Sequence, residues 1–96
     1  MARYRFAPEA AYDIEHIGAS LESPAAARRL MADFFAAFAL LADMPSLGHI
    51  REDLTARPVR FWTIRKRYLV VYRTIETEVE IARVLDGHRD VENILG

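Results

Sequence analysis

Two apolar stripes of helical spacing, separated by only a few residues, most constrain the fold of this 96-residue chain. The first stripe consists of Ala10, Ile14, Ile17 and Leu21, and the second of Ala27, Leu30, Phe34, Phe38 and Leu41. Pro8 suits the first turn of one helix, and Ser23-Pro24 predicts an N-cap and first turn for the next. Because the connection is short, the two helices are predicted to form an antiparallel hairpin that ends at Pro45 and Gly48.

The second stripe is wider than a helix with a single buried face requires. Met31, Phe35 and Ala42 extend it beyond the seam that would face the core. We therefore expect part of this apolar surface to contact a partner.

Four short segments have the composition and alternation of β-strands. They are Arg3–Phe6, Val59–Ile64, Tyr68–Ile75 and Val79–Leu85. The last three are joined by connections of hairpin length, so they are predicted to form an antiparallel meander that the first strand joins in one twisted sheet. The fold class is therefore predicted as α+β, with the helical hairpin on one face of the sheet and the opposite face open.

The carboxyl-terminal end carries one more apolar cluster. Asp90 can cap a short amphipathic segment that places Val91, Ile94 and Leu95 on one side. We expect this segment to dock on the domain as a small helix or tail.

Length and composition predict a single domain covering residues 1–96. Hydrophobic residues make up 52% of the chain, enough for one small core. Cysteine is absent, which excludes disulfides and cysteine-based zinc sites and is typical of a reducing compartment. No apolar run has the length of a signal-peptide core or a membrane span, so we expect a cytoplasmic protein with no membrane partner.

Positive charge is concentrated in one part of the chain, although the formal net charge is only -1. Between Leu54 and Ile75 there is no Asp or Glu, whereas five arginines and one lysine occur there. Two interpretations remain open: a solvated strand face, or a surface that binds an acidic protein or RNA. The small net charge argues against a general nucleic-acid coat.

Arg83 is the foremost candidate for a functional side chain because it lies within an apolar strand pattern. Strict alternation predicts one shared face for Arg83, Val79, Ile81 and Leu85. A buried guanidinium is costly without a partner, so Arg83 either pairs with Asp53 or Asp90 or projects into a ligand-binding groove. Because side chains alternate along a strand, Arg60 and Arg65 are predicted to lie on opposite faces of the sheet. At most one of them is therefore expected to lie on the same face as Arg83.

Several segments together resemble the RelE/ParE superfamily of small bacterial toxins. They are the stretch Ile81–Asp90, the residues Pro45 and Gly48, and the segments Arg51–Leu54 and Tyr68–Arg73. The resemblance covers nearly the whole chain. It implies a toxin of a type II toxin-antitoxin or plasmid-stabilisation system, whose cognate, ParD-like antitoxin wraps the domain with a disordered or amphipathic segment.

The branch of the superfamily is indicated by the residues after the last strand. Asp86 occupies the place where many ribonuclease members have a histidine, and no tyrosine follows Tyr72. The resemblance therefore favours the ParE-like branch, which implies a toxin that binds and inhibits bacterial DNA gyrase without catalysis. Two alternatives remain: a ribosome-dependent mRNA endoribonuclease of RelE type that uses Arg65, Arg83 and His88, and a non-toxic binding module.

These arguments assign candidate residues to two surfaces. The predicted target-binding residues are Arg60, Arg65, Arg83, His88 and Arg89, and the predicted antitoxin-binding residues are Met31, Phe35, Trp62 and Tyr72. No cofactor is expected. No metal site is predicted either, because Asp13, Glu15 and His16 do not have the i, i+4 spacing of a helical metal pair.

Overall fold

The computed structural model describes residues 3–87 and 91–95, which fold as a strand, two helices, three strands and a short helix. The strands are β1 (Arg3–Phe6), β2 (Arg60–Ile64), β3 (Tyr68–Ile75) and β4 (Glu78–Asp86), and the helices are α1 (Pro8–Ala19), α2 (Pro24–Asp43) and α3 (Val91–Leu95). A single 3-10 turn, Pro45–Leu47, follows α2. The predicted order of elements is confirmed, and the strand boundaries differ from the prediction by one residue at most.

Both long helices begin where the sequence indicates. Pro8 occupies the first turn of α1, and the Ser23 hydroxyl accepts a hydrogen bond of 3.1 Å from the backbone N–H of Ala26 at the start of α2. The apolar seam of α2 is buried as predicted, and Leu30, Phe34 and Phe38 have no exposed surface. The two helices therefore pack against the core through the apolar stripes from which they were predicted.

The four strands form one mixed sheet in the order β1-β4-β3-β2. The pairs β2-β3 and β3-β4 are antiparallel, as the predicted meander requires, whereas β1 pairs in parallel with β4. His49 pairs with Phe61 on the outer side of β2, through two backbone hydrogen bonds of 2.9 and 2.8 Å. The α+β class and the joining of the first strand to the meander are both confirmed.

A β-bulge interrupts the alternation of β4. Val71 of β3 pairs with Arg83 of β4, but the next residue of β3, Tyr72, pairs with Ile81. Ala82 is therefore an extra residue in β4. As a result Ile81 packs beneath the helices, whereas Leu85 lies in the apolar cluster on the other side of the sheet. The prediction that Val79 and Ile81 share one face with Arg83 is therefore wrong, because strict alternation does not survive an inserted residue. Leu85 does lie on the same side as Val71, the residue that pairs with Arg83.

The two faces of the sheet carry separate apolar clusters. The cluster beneath the helical hairpin includes the stripe of α2 together with Val70, Tyr72 and Val84. The cluster on the opposite face includes Phe61 and Val71 and is partly covered by Val91 and Leu95 of α3. We call this second side the open face, although α3 covers part of it. Ile94 was predicted to face inward with Val91 and Leu95, but it is 41% exposed.

Candidate functional site

Arg83 is held by a carboxylate on α1. Its Nε and Nη2 donate hydrogen bonds of 2.8 and 3.0 Å to the two carboxylate oxygens of Asp13, and the backbone N–H of Val84 donates to the same carboxylate at 3.0 Å. The Asp13 side chain is only 10% exposed and that of Arg83 is 27% exposed. This arrangement, which we call the β4 clamp, ties α1 to the bulged part of β4.

The β4 clamp exists because strand β1 ends early. β1 pairs with β4 only as far as Ile81, so the outer edge of β4 has no strand partner beyond that point. The carboxylate of Asp13 accepts the Val84 N–H that this gap exposes, which satisfies a group that would otherwise be costly to bury. The predicted pairing with Asp53 is wrong, since Asp53 pairs with Arg51 at 2.7 Å. The alternative partner, Asp90, lies outside the described residues.

The clamp also secures the charge of Arg83. The hydrogen bond to Asp13 raises the pKa of Arg83, while partial burial opposes this shift, and the nearby charges of Asp13 and Glu9 reinforce it. Arg83 therefore presents a permanently positive group beside the open face.

The other two arginines of the predicted target surface are held elsewhere. Arg65 lies in the β2-β3 turn with a φ of 56°, and its Nε donates to the Asp33 carboxylate of α2 at 2.7 Å. Arg60 donates from Nη1 to the backbone carbonyl of Gly48 at 2.9 Å. The structure thus ties Arg60, Arg65 and Arg83 to three different segments and does not gather them into one site.

His88 and Arg89, the remaining members of that predicted surface, lie outside the described residues. Their assignment to the target surface stays a prediction.

A cavity of about 390 Å³ opens on the open face, between the sheet, α3 and the segment before β2. Val59, Val71 and Ala82 form apolar parts of its wall. Among the residues that the structure describes, the arginines that line it are Arg57, Arg73 and Arg83. This volume lies in the range of about 300 to 1,000 Å³ that is typical of ligand-binding clefts.

The arginines around this cavity differ in how they are paired. Arg83 binds Asp13, and Arg73 donates from Nε to the Glu80 carboxylate at 3.0 Å. Arg57 is exposed, and within residues 3–87 and 91–95 its guanidinium has no carboxylate partner. Sequence reasoning selected Arg83 but missed Arg57 and Arg73, although both lie in the acid-free stretch that indicated a basic surface.

Three of the four predicted antitoxin-binding residues reach the surface. Phe35 is 43% exposed and packs edge-on against Phe38, while Met31 and Trp62 are partly buried against the cluster beneath the helices. Two more apolar residues of α2 and the turn after it are exposed, Leu40 by 40% and Met44 by 53%. Phe35 therefore leaves apolar surface of the wide α2 stripe uncovered, as the width of the stripe predicted, whereas Ala42 of the same stripe is buried.

Tyr72 is the exception, and its assignment to the antitoxin surface is wrong. It has no exposed surface, its hydroxyl donates to the Pro45 carbonyl at 2.7 Å, and it accepts from the Gly48 N–H at 2.8 Å. A Cβ atom added at Gly48 would lie 2.5 Å from the Tyr72 hydroxyl oxygen. Tyr72 therefore fixes the turn after α2 against the sheet and is not available to a partner.

Among residues 3–87 and 91–95, no three histidine, aspartate or glutamate side chains lie close enough together to hold a metal ion. None of the helices in this part has the length and apolar content needed to cross a bilayer.

Comparison with known proteins assigns the family. The model of the ParE toxin of the type II toxin-antitoxin system, parDE, matches residues 4–91. The chain belongs to the ParE toxin family. This confirms the predicted superfamily and branch.

The fold has a solved counterpart. The chain is similar to a chain of the chromosomal ParDE TA system from P. aeruginosa, with a TM-score of 0.73 and 22% sequence identity over 92% of this chain and 98% of that chain. No curated protein matches the sequence at a significant level. The structural likeness shows that the two chains share a fold.

Proposed function

We propose that this member of the ParE toxin family is a cytoplasmic toxin that binds and inhibits bacterial DNA gyrase and is neutralised by a cognate antitoxin. The observation that supports it most strongly is the family match over residues 4–91, since the predicted ParE-like branch implies gyrase as the target. The proposed mode of action is binding of a protein surface, with no covalent step.

The ion pairs that hold Arg65 and Arg83 are consistent with a binding role for this protein. A ribosome-dependent endoribonuclease of RelE type would use Arg65 and Arg83 together with His88. In the structure Arg65 is paired with Asp33 of α2 and Arg83 with Asp13 of α1, so these two cations occupy different surroundings. A surface that binds a protein does not require them to converge on one phosphate.

The two proposed partners would use different sides of the domain. The antitoxin would cover the exposed apolar residues of α2 around Phe35, burying surface that water now contacts. The target would contact the open face, where Arg83 and the cavity lie. A segment of the antitoxin that orders as it binds would be able to wrap the helical hairpin.

Induced expression in bacterial cells tests this function. A gyrase inhibitor should trigger the DNA-damage response and filamentation while translation continues, and the purified protein should block supercoiling by gyrase. Loss of translation with cleavage of messenger RNA on the ribosome would instead identify a RelE-type nuclease. Normal growth would identify a non-toxic binding module.

Two substitutions separate binding from nuclease chemistry. His88→Ala should leave toxicity nearly intact, because a side chain away from a binding hot spot contributes under about 1 kcal/mol. Loss of a general acid or base would instead reduce a nuclease rate by about 10² to 10⁴. Arg83→Ala should weaken toxicity, and a thermal melt of the same variant must accompany that result because Arg83 also belongs to the β4 clamp.

A further inference from the structure

The cavity on the open face combines an apolar wall with a cation that has no carboxylate partner within residues 3–87 and 91–95. Val59, Val71 and Ala82 provide apolar surface, and Arg57 stands exposed at the same cavity. The neighbouring cations are already neutralised, since Arg73 binds Glu80 and Arg83 binds Asp13. Arg57 is therefore the group that would gain most from an acidic ligand.

The same cavity disfavours a nucleic acid. The side chains of Glu9 and Glu80 also line it. A nucleic-acid strand carries a phosphate at every nucleotide and would bring several negative charges against these two carboxylates. A protein segment with one carboxylate beside apolar side chains avoids that repulsion, because it can place the carboxylate at Arg57 and the apolar groups against Val71 and Ala82.

We infer that this cavity receives a segment of DNA gyrase that carries an acidic residue next to an apolar one, with the carboxylate pairing with Arg57. The inference rests on the proposed function and adds to it the chemistry of the contact. Gyrase rather than the antitoxin is the occupant because the exposed apolar residues proposed for the antitoxin lie on α2, across the sheet from the cavity. Charge complementarity at a cavity of this kind supplies orientation and specificity as well as affinity.

Arg57→Glu is the variant that isolates this contact. Arg57 is exposed and has no ion pair in the described part of the chain, so its substitution breaks no existing ion pair there. Arg28→Glu is the matched control, because Arg28 is also exposed and the change in net charge is identical, but it lies on α2 beyond the other face of the sheet. Ala82→Leu is a second probe that fills the apolar wall without changing charge.

Binding of each purified variant to bacterial DNA gyrase, and to the cognate antitoxin, is measured by surface plasmon resonance, with thermal melts to verify folding. We expect Arg57→Glu and Ala82→Leu to weaken gyrase binding by roughly tenfold or more, whereas Arg28→Glu changes it by less than about twofold. Antitoxin binding should be unchanged in Arg57→Glu and Ala82→Leu, because both residues lie across the sheet from the α2 surface proposed for the antitoxin. The wild-type affinity for gyrase should fall with salt more steeply than that of Arg57→Glu.

Three results would overturn the inference and are distinguishable. If wild type blocks supercoiling but Arg57→Glu and Ala82→Leu bind gyrase as tightly as wild type, the target docks elsewhere and the proposed function stands. If wild type does not bind gyrase, the proposed function fails and the assigned occupant fails with it. If Arg57→Glu weakens antitoxin binding alone, the antitoxin occupies the cavity.

Discussion

Removing the carboxylate of the β4 clamp should destabilise the whole domain. In Asp13→Ala, Arg83 loses both acceptors, and the Val84 N–H loses the group that satisfies it at an edge where β1 has ended. Asp13→Asn keeps one side-chain oxygen that can accept from Val84 but removes the negative charge. The two variants therefore divide the clamp into its hydrogen-bonding and ionic parts.

The expected magnitude follows from burial. Breaking a fully buried ion pair costs about 3 to 5 kcal/mol, but Arg83 is 27% exposed and can recover part of its hydration. Leaving the Val84 N–H unsatisfied adds about 1 kcal/mol or more. We expect Asp13→Ala to lower the free energy of unfolding by about 2 to 3 kcal/mol, and Asp13→Asn by about half of that. At about 4 to 8 °C per kcal/mol for a domain of this size, Asp13→Ala should melt roughly 10 to 20 °C below wild type.

Thermal and urea unfolding followed by circular dichroism measure this effect, with Asp33→Ala as the matched control. Asp33 also lies on a helix and also pairs with an arginine at 2.7 Å, but the side chains of Arg65 and Asp33 are 45% and 50% exposed. Exposed pairs contribute at most about 1 kcal/mol, so Asp33→Ala should melt within a few degrees of wild type. Equal destabilisation by Asp13→Ala and Asp33→Ala, or a wild-type melt for Asp13→Ala, would refute the reasoning.

Three further predictions concern the core and the turn after α2. Phe34 has no exposed surface, so Phe34→Ala should cost roughly 3 to 5 kcal/mol, and an unchanged melting midpoint would show that it is not a core residue. Gly48→Ala should destabilise the fold, because its Cβ would lie 2.5 Å from the Tyr72 hydroxyl oxygen, and combining it with Tyr72→Phe should relieve part of the loss if that contact is the cause. Burial raises the pKa of Tyr72, so this tyrosine ionises at a lower pH in the unfolded protein than in the folded protein. The contribution of this pKa difference to folding stability is fully present below pH about 10 and is lost as pH rises through the folded pKa. Wild type should therefore lose stability above that pH more steeply than Tyr72→Phe, and parallel pH profiles for the two proteins would contradict the assigned burial.

Local patterns in the amino-acid sequence were sufficient to predict the elements and the layers of this fold. Helical spacing located α1 and α2, Ser23 marked the start of α2, and alternation located the strands to within one residue. These features depend on neighbours close in the chain, so local patterns are sufficient to reveal them. The residues of the ParE-like pattern were also readable, and they led to the family that the comparison established.

The partners of the polar groups could not be predicted from local patterns, because they depend on how distant segments pack together. Asp13 and Arg83 are 70 residues apart, and they meet because β1 ends opposite Ile81 and α1 then crosses the free edge of β4. The extra residue at Ala82 moved Leu85 to the opposite face from Ile81, which no local count of alternating residues registers. Tyr72 was predicted to contact the antitoxin, but in the structure the turn around Gly48 covers its hydroxyl. The hydrogen-bond partners of a guanidinium or a hydroxyl, and the position of a bulge, depend on which distant segments lie beside them. The packing of the layers determines these neighbours.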